Sequence, residues 1–110
     1  MQVRRWNPAA DGPLSEAALR QKLEALGYVV ARSEHPPGSR VPDHACDVDM
    51  IDAVVSGHYR LVIAGHTAQL GPGDWVEVPR GRRATATVIG EAPVVSLDAI
   101  RRASGRASRE

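Results

Sequence analysis

Gly71-Pro72-Gly73-Asp74-Trp75-Val76-Glu77-Val78-Pro79-Arg80-Gly81 places one short strand, over 75–78, between two glycine- and proline-built turns. Glycine supplies the backbone torsions of a tight reversal, and proline bars the strand from running on. Working outward, the same punctuation recurs at Gly65-His66, Ser56-Gly57, Pro36-Pro37-Gly38 and Gly90-Glu91-Ala92-Pro93. Between these turns the pattern predicts strands over 28–34, 41–46, 50–55, 59–64, 67–70, 84–89 and 94–97. That many short strands at this spacing predict a mostly β, antiparallel sandwich or barrel. A parallel sheet would need crossover helices, and the chain has one helical segment only.

That segment lies near the N-terminus, at about 15–26. Ser15 is a natural N-cap, Glu16 suits the first turn, and Leu19, Leu23 and Leu26 fall on one helical face before Gly27 stops it. Glu16 and Arg20 are spaced for an ion pair on the wet face. Residues 1–13 read as an irregular lead-in pinned to the body by Trp6.

The chain has 110 residues, 43% of them hydrophobic, which is one domain over 1–100 with a flexible basic tail over 101–110. Sixteen alanines and thirteen valines against four aromatics and no Phe predict a thin core. Fourteen Lys+Arg against thirteen Asp+Glu leave a formal charge of +1, so the surface as a whole is not a polyanion-binding field. Arg80, Arg82 and Arg83 lack the interleaved aromatics or groove-entering helix of a nucleic-acid interface. A single cysteine excludes an internal disulfide, and no stretch has the roughly 18 consecutive apolar residues of a spanning helix, so a cytoplasmic protein is expected.

From Gly38 onward two spacings of turn residues and candidate ligands stand out. Gly38 is followed by five residues, His44-Ala45-Cys46, three more, Met50, six more and Gly57. Gly73 is followed by five residues, Pro79-Arg80-Gly81, two more and Ala84. In these spacings the sequence resembles the cupin superfamily, small antiparallel jelly-roll barrels: the turn residues of both family motifs are in place, and of the four positions at which the family carries metal ligands only His44 matches. The resemblance implies a jelly roll with a small-molecule pocket, a homodimer, and, if it is an enzyme, chemistry of the metal-dependent oxygenase, isomerase or lyase kind.

His44 and Cys46 are two apart on one strand, hence on one face, which the resemblance makes the interior. With Met50 they form a soft donor set that suits copper first and zinc second, iron or nickel less. The alternative is a barrel without metal that binds a ligand or oligomerises, with Cys46 and Met50 as core filling. His35, His58 and His66 are the histidines that could replace the missing fourth ligand, but His58 and His66 stand beside turn glycines and are expected outside. If Met50 faces inward, Asp52 does too, needing Arg60, Arg82 or Tyr59 as partner. Asp52, Tyr59 and Glu77 are the candidate substrate-positioning or catalytic residues. Trp75 shares a face with Glu77, and parity alone leaves open whether that face is the inner one.

Overall fold

The structure is a computed structural model that describes residues 1–45 and 47–101, and of residues 42–44 the backbone alone. The described strands are β1 (Val3–Arg5), β2 (Tyr28–His35), β3 (Arg40–Ala45), β4 (Met50–Ser56), β5 (His58–Ile63), β6 (His66–Leu70), β7 (Asp74–Val78), β8 (Arg83–Ile89) and β9 (Val94–Arg101). The helices are α1 (Pro8–Asp11) and α2 (Glu16–Ala25). One antiparallel sheet has the order β1-β7-β4-β9-β2 and the other β3-β8-β5-β6. The crossings between sheets are those of a jelly roll, and among the described residues no ladder joins one sheet to the other.

Two apolar layers hold this together. Between the sheets lie Val54, Tyr59, Leu61, Leu70, Val76 and Val88 with their neighbours. On the outside of the five-stranded sheet, Ile51, Trp75 and Leu97 pack against Leu19 and Leu23 of α2. The central strands of that sheet therefore bury apolar side chains on the outer face as well as the inner, as β4 shows: Ile51 and Ala53 point to the helix, Val54 to the interior. Trp75 and Glu77 belong to the outer face, because Val76 and Val78 take the inner one.

The helix begins as its sequence dictates, with Ser15 Oγ accepting from the Ala18 amide at 3.0 Å. Its charges are spent differently from expectation. Glu16 pairs with Arg32 of β2 at 3.1 Å, and Arg20 donates to the Val30 carbonyl at 2.9 Å, so both tie the helix to the sheet edge rather than to each other. The lead-in is also more ordered than its composition implies. β1 adds a strand beside β7, Asn7 caps the one-turn α1, and Trp6 donates through Nε1 to the Gly12 carbonyl at 2.8 Å.

Lys22 fastens this corner. Its Nζ lies 2.8 Å from Asp11 and 5.4 Å from the ring centres of both Trp6 and Trp75. A half-buried ammonium between two indoles gains both a charge pair and quadrupole attraction. Lys22→Met, which keeps the apolar stem, is expected to lower stability by about 1 kcal/mol, seen as a lower urea midpoint with unchanged slope.

The β5–β6 hairpin carries a correctable strain. Ile63 and His66 are paired, leaving a two-residue turn in which Ala64 has φ 51° and Gly65 φ 83°. Both central positions of such a turn need positive φ, which alanine adopts at a cost of about 1 kcal/mol. Ala64→Asn is expected to raise the thermal midpoint by several degrees, roughly 4–8 °C per kcal/mol for a domain of this size.

Candidate functional site

The inner wall of the five-stranded sheet carries a polar patch on adjacent strands. Register pairs Asp52 of β4 with Asp98 of β9, and Ser33 of β2 with Ser96 of β9. Partners directly opposite on antiparallel strands share a face, so all four stand on the interior side. Asp98 accepts from Ser33 Oγ at 2.7 Å and, at the longer distance of 3.5 Å, from Ser96 Oγ. Ser96 Oγ also lies 3.3 Å from His35 Nε2, and with its one proton turned toward Asp98 it accepts from that ring nitrogen. His35 in turn stacks on Tyr59 of the opposite sheet, ring centres 5.4 Å apart and planes inclined by 27°. Hydrogen bonds on β2 and β9 and one ring stack thus link the inner face of one sheet to β5 of the other.

Asp52 differs from its neighbours. It is 8% exposed, and its Oδ1 is buried without a hydrogen-bond partner among the described residues. Burial, reinforced by the charge of Asp98, pushes its carboxyl up to about 8 from the ordinary 3.8. The same burial, then the Asp52 and Asp98 charges, raises the Tyr59 phenol above its ordinary range. A core ion pair does not form: among the described residues no Arg or Lys pairs with Asp52, and Arg60 is exposed.

Beside Asp52 is a cavity of about 20 Å³, the room of one water-sized group. Val41, Met50, Leu61, Val78 and Ala84 give it apolar walls, and Arg82 borders it. Asp52, Tyr59 and Met50 are therefore gathered on the interior, as parity from Met50 predicts. Glu77 is not gathered with them; it is exposed on the outer face, where it borders shallow surface grooves with Trp75 and Pro79. His58 and His66 are exposed, as expected beside turns. From the sequence His35 is a candidate only for the missing fourth ligand position, and Ser33, Ser96 and Asp98 have no role; their signal is polar residues two apart, with His35 and Asp98 falling just beyond the expected strand ends.

The expected metal ligands divide. Cys46 lies outside the described residues, as does the tail over 102–110. The backbone places His44 opposite Ala84 in the β3–β8 ladder. Ala84, at the fourth ligand position of the resemblance, has no donor, and Met50, at the third, offers only a thioether. These two positions do not fit a hard-metal site, and among the described residues no three His, Cys, Asp or Glu side chains cluster to hold an ion. No described helix is long and apolar enough to cross a membrane.

No protein-family model matches the chain, and no curated protein does. Solved structures do match. A cupin protein from Bacteroides fragilis is 24% identical, with a TM-score of 0.63 over 84% of this chain and 77% of that one. The DMSP lyase DddQ from Ruegeria pomeroyi DSS-3 is 27% identical, TM-score 0.62, over 69% of this chain and 39% of that one. Drosophila melanogaster CENP-C bound to CAL1 is 16% identical, TM-score 0.58, over 63% of this chain and 58% of that one. The chain thus spans little more than half of the last of these and less of the lyase. Enzymes and a protein-bound domain share the architecture, so the likeness settles no activity. Two antiparallel sheets in jelly-roll order, the glycine and proline turns that set them, and these neighbours agree: the chain has the fold of the cupin superfamily.

Proposed function

We propose that this protein binds a small organic molecule between its two sheets, with Asp52 and Tyr59 as its polar contacts. The observation that carries this is the buried Asp52 oxygen, without a partner among the described residues, on a residue lining a cavity whose other walls are apolar except for Arg82 and Thr85. A buried polar atom left unpaired costs about 1–3 kcal/mol, and a ligand supplying the missing hydrogen bond recovers it. An apolar pocket with a few convergent polar groups is the usual form of a small-molecule site.

A soft transition metal at His44 and Cys46 is a second reading, favoured by the register of His44 opposite Ala84 and by Met50 in the cavity wall. Copper or zinc would there supply Lewis-acid or redox chemistry, making the protein an enzyme of the metal-dependent kind. A homodimer is supported by β2, which among the described residues is an unpaired sheet edge, with Val29 49% and Ile100 44% exposed beside it.

Elemental analysis of protein purified without chelator, then reconstituted with Cu(I) or Zn under reducing conditions, separates the readings. One equivalent of metal, lost in His44→Ala and Cys46→Ser, establishes the metal centre. Protein that holds no metal yet rises in thermal midpoint with small organic fragments, a response lost in Ala84→Leu, supports the metal-free pocket. No response to metal or fragment overturns both and leaves an oligomerising module.

A further inference from the structure

We propose that Arg82 is the gate of the interior: its guanidinium turns inward to donate to Asp52 and close the cavity, and turns outward to admit a ligand. This rests on the reading that the interior is a binding site, and adds how that site is closed and opened. Arg82 lines the cavity beside Asp52, and it also lines a groove of about 350 Å³ with Ile63, His66, Glu77 and Pro79. It therefore stands at the boundary between the two spaces. Its amide donates to the Pro79 carbonyl at 3.1 Å, which fixes its backbone at the end of the β7–β8 turn, while the residue is exposed. Among the described residues its side chain is in no ion pair that would hold it there.

Size and hydrogen bonding point the same way. The cavity, about 20 Å³, has room for one water-sized group, and one terminal nitrogen of a guanidinium is such a group. Asp52 Oδ1 is a buried acceptor without a donor among the described residues, and a carboxyl oxygen accepts whether or not the group carries its proton. A guanidinium that reaches it forms a charge-assisted hydrogen bond, stronger than one from a neutral donor. The structure shows Arg82 at the boundary, short of that contact. Turned outward, it joins the cavity to the groove and gives a small organic molecule the room that the cavity alone lacks.

The test uses the full chain, first without ligand and then with 1-butanol. NMR of the parent alone is expected to show nuclear Overhauser contacts from the Arg82 guanidinium protons to the methyls of Met50 and Leu61, which line the cavity. Arg82→Ala, checked for native circular dichroism, is expected to bind 1-butanol at least about tenfold more tightly than the parent, because the ligand no longer displaces a charge-assisted hydrogen bond. Arg80→Ala removes the same charge from the same turn at a residue that does not line the cavity, and should bind as the parent does. Absence of guanidinium contacts with both methyls overturns the inference while the binding site stands. So does 1-butanol binding that is no tighter in Arg82→Ala than in the parent, or equally tightened in Arg80→Ala. Silence of the parent and of Arg82→Ala towards 1-butanol also overturns it, and silence towards every organic fragment takes the binding-site reading down as well.

Discussion

Asp52→Asn is expected to gain stability over the parent as pH rises from 4 to 8. The folded-state carboxyl titrates near 8, above its ordinary 3.8. Below about pH 4 both folded and unfolded states are protonated and nothing is lost. Between the two values the unfolded state releases its proton while the folded state keeps it, so the parent loses stability as pH rises. Above about pH 8 the penalty is complete and flat. Four pH units at about 1.4 kcal/mol each set a ceiling of roughly 6 kcal/mol. Local relaxation and an effective dielectric near 20 bring the expected gain to about 2 kcal/mol.

Urea unfolding of parent and variant at pH 4, 6 and 8 reads this directly. His35, Tyr59 and Asp98 face the same space, and whatever they contribute is largely shared by both proteins, so the difference isolates Asp52. The asparagine amide brings a pH-independent cost of its own at the unpaired position, which makes the slope the decisive quantity. A difference that stays constant across pH would show that Asp52 is not held protonated.

The second large effect is steric. At the β4–β5 turn, Gly57 has φ 82°, and a Cβ there would overlap the Pro93 carbonyl oxygen and stand 3.0 Å from Val94 Cα. The approach follows from the β4–β9 ladder, whose register shifts between Val54 and Ser56 and draws the turn against the segment entering β9. Gly57→Ala therefore combines a left-handed backbone with a clash against main chain that no rotamer change relieves. A loss of at least about 3 kcal/mol is expected. Gly81→Ala is the control, since Gly81 has φ 81° and nothing within 4 Å of the added Cβ. It should cost only the torsional part, about 1–2 kcal/mol. Equal losses for the two variants, measured by denaturant unfolding, would remove the close approach from the account.

Much of the fold was legible because turns are written in residues with few substitutes. Gly57, Gly73, Pro79 and Gly81 bound strands that fall where the sequence places them, within a residue or two. β9 runs longer, to Arg101, because its outer residues Leu97 and Ala99 lie in the layer beneath α2. The inward side of Asp52 followed from period two, given Met50. The side of Trp75 did not, because the helix makes the outer face as apolar as the inner and erases the contrast on which parity depends. Helix cover also hid the polar patch: β9 points Leu97 outward and Ser96 and Asp98 inward, opposite to an uncovered sheet. Glu16 likewise found Arg32 across space, a partner that helical spacing does not reveal.

The claim that organises these observations is that the interior around Asp52 is a ligand site. Methyl-resolved NMR of Met50, Leu61, Val78, Ala84 and Ala86 during titration with small organic fragments tests it most directly. The account predicts saturable shifts confined to these methyls and weakened in Asp52→Asn. Shifts found only on the exposed methyls of Val29 and Ile100 or the outer-face methyl of Leu26, or at no methyl, would contradict it.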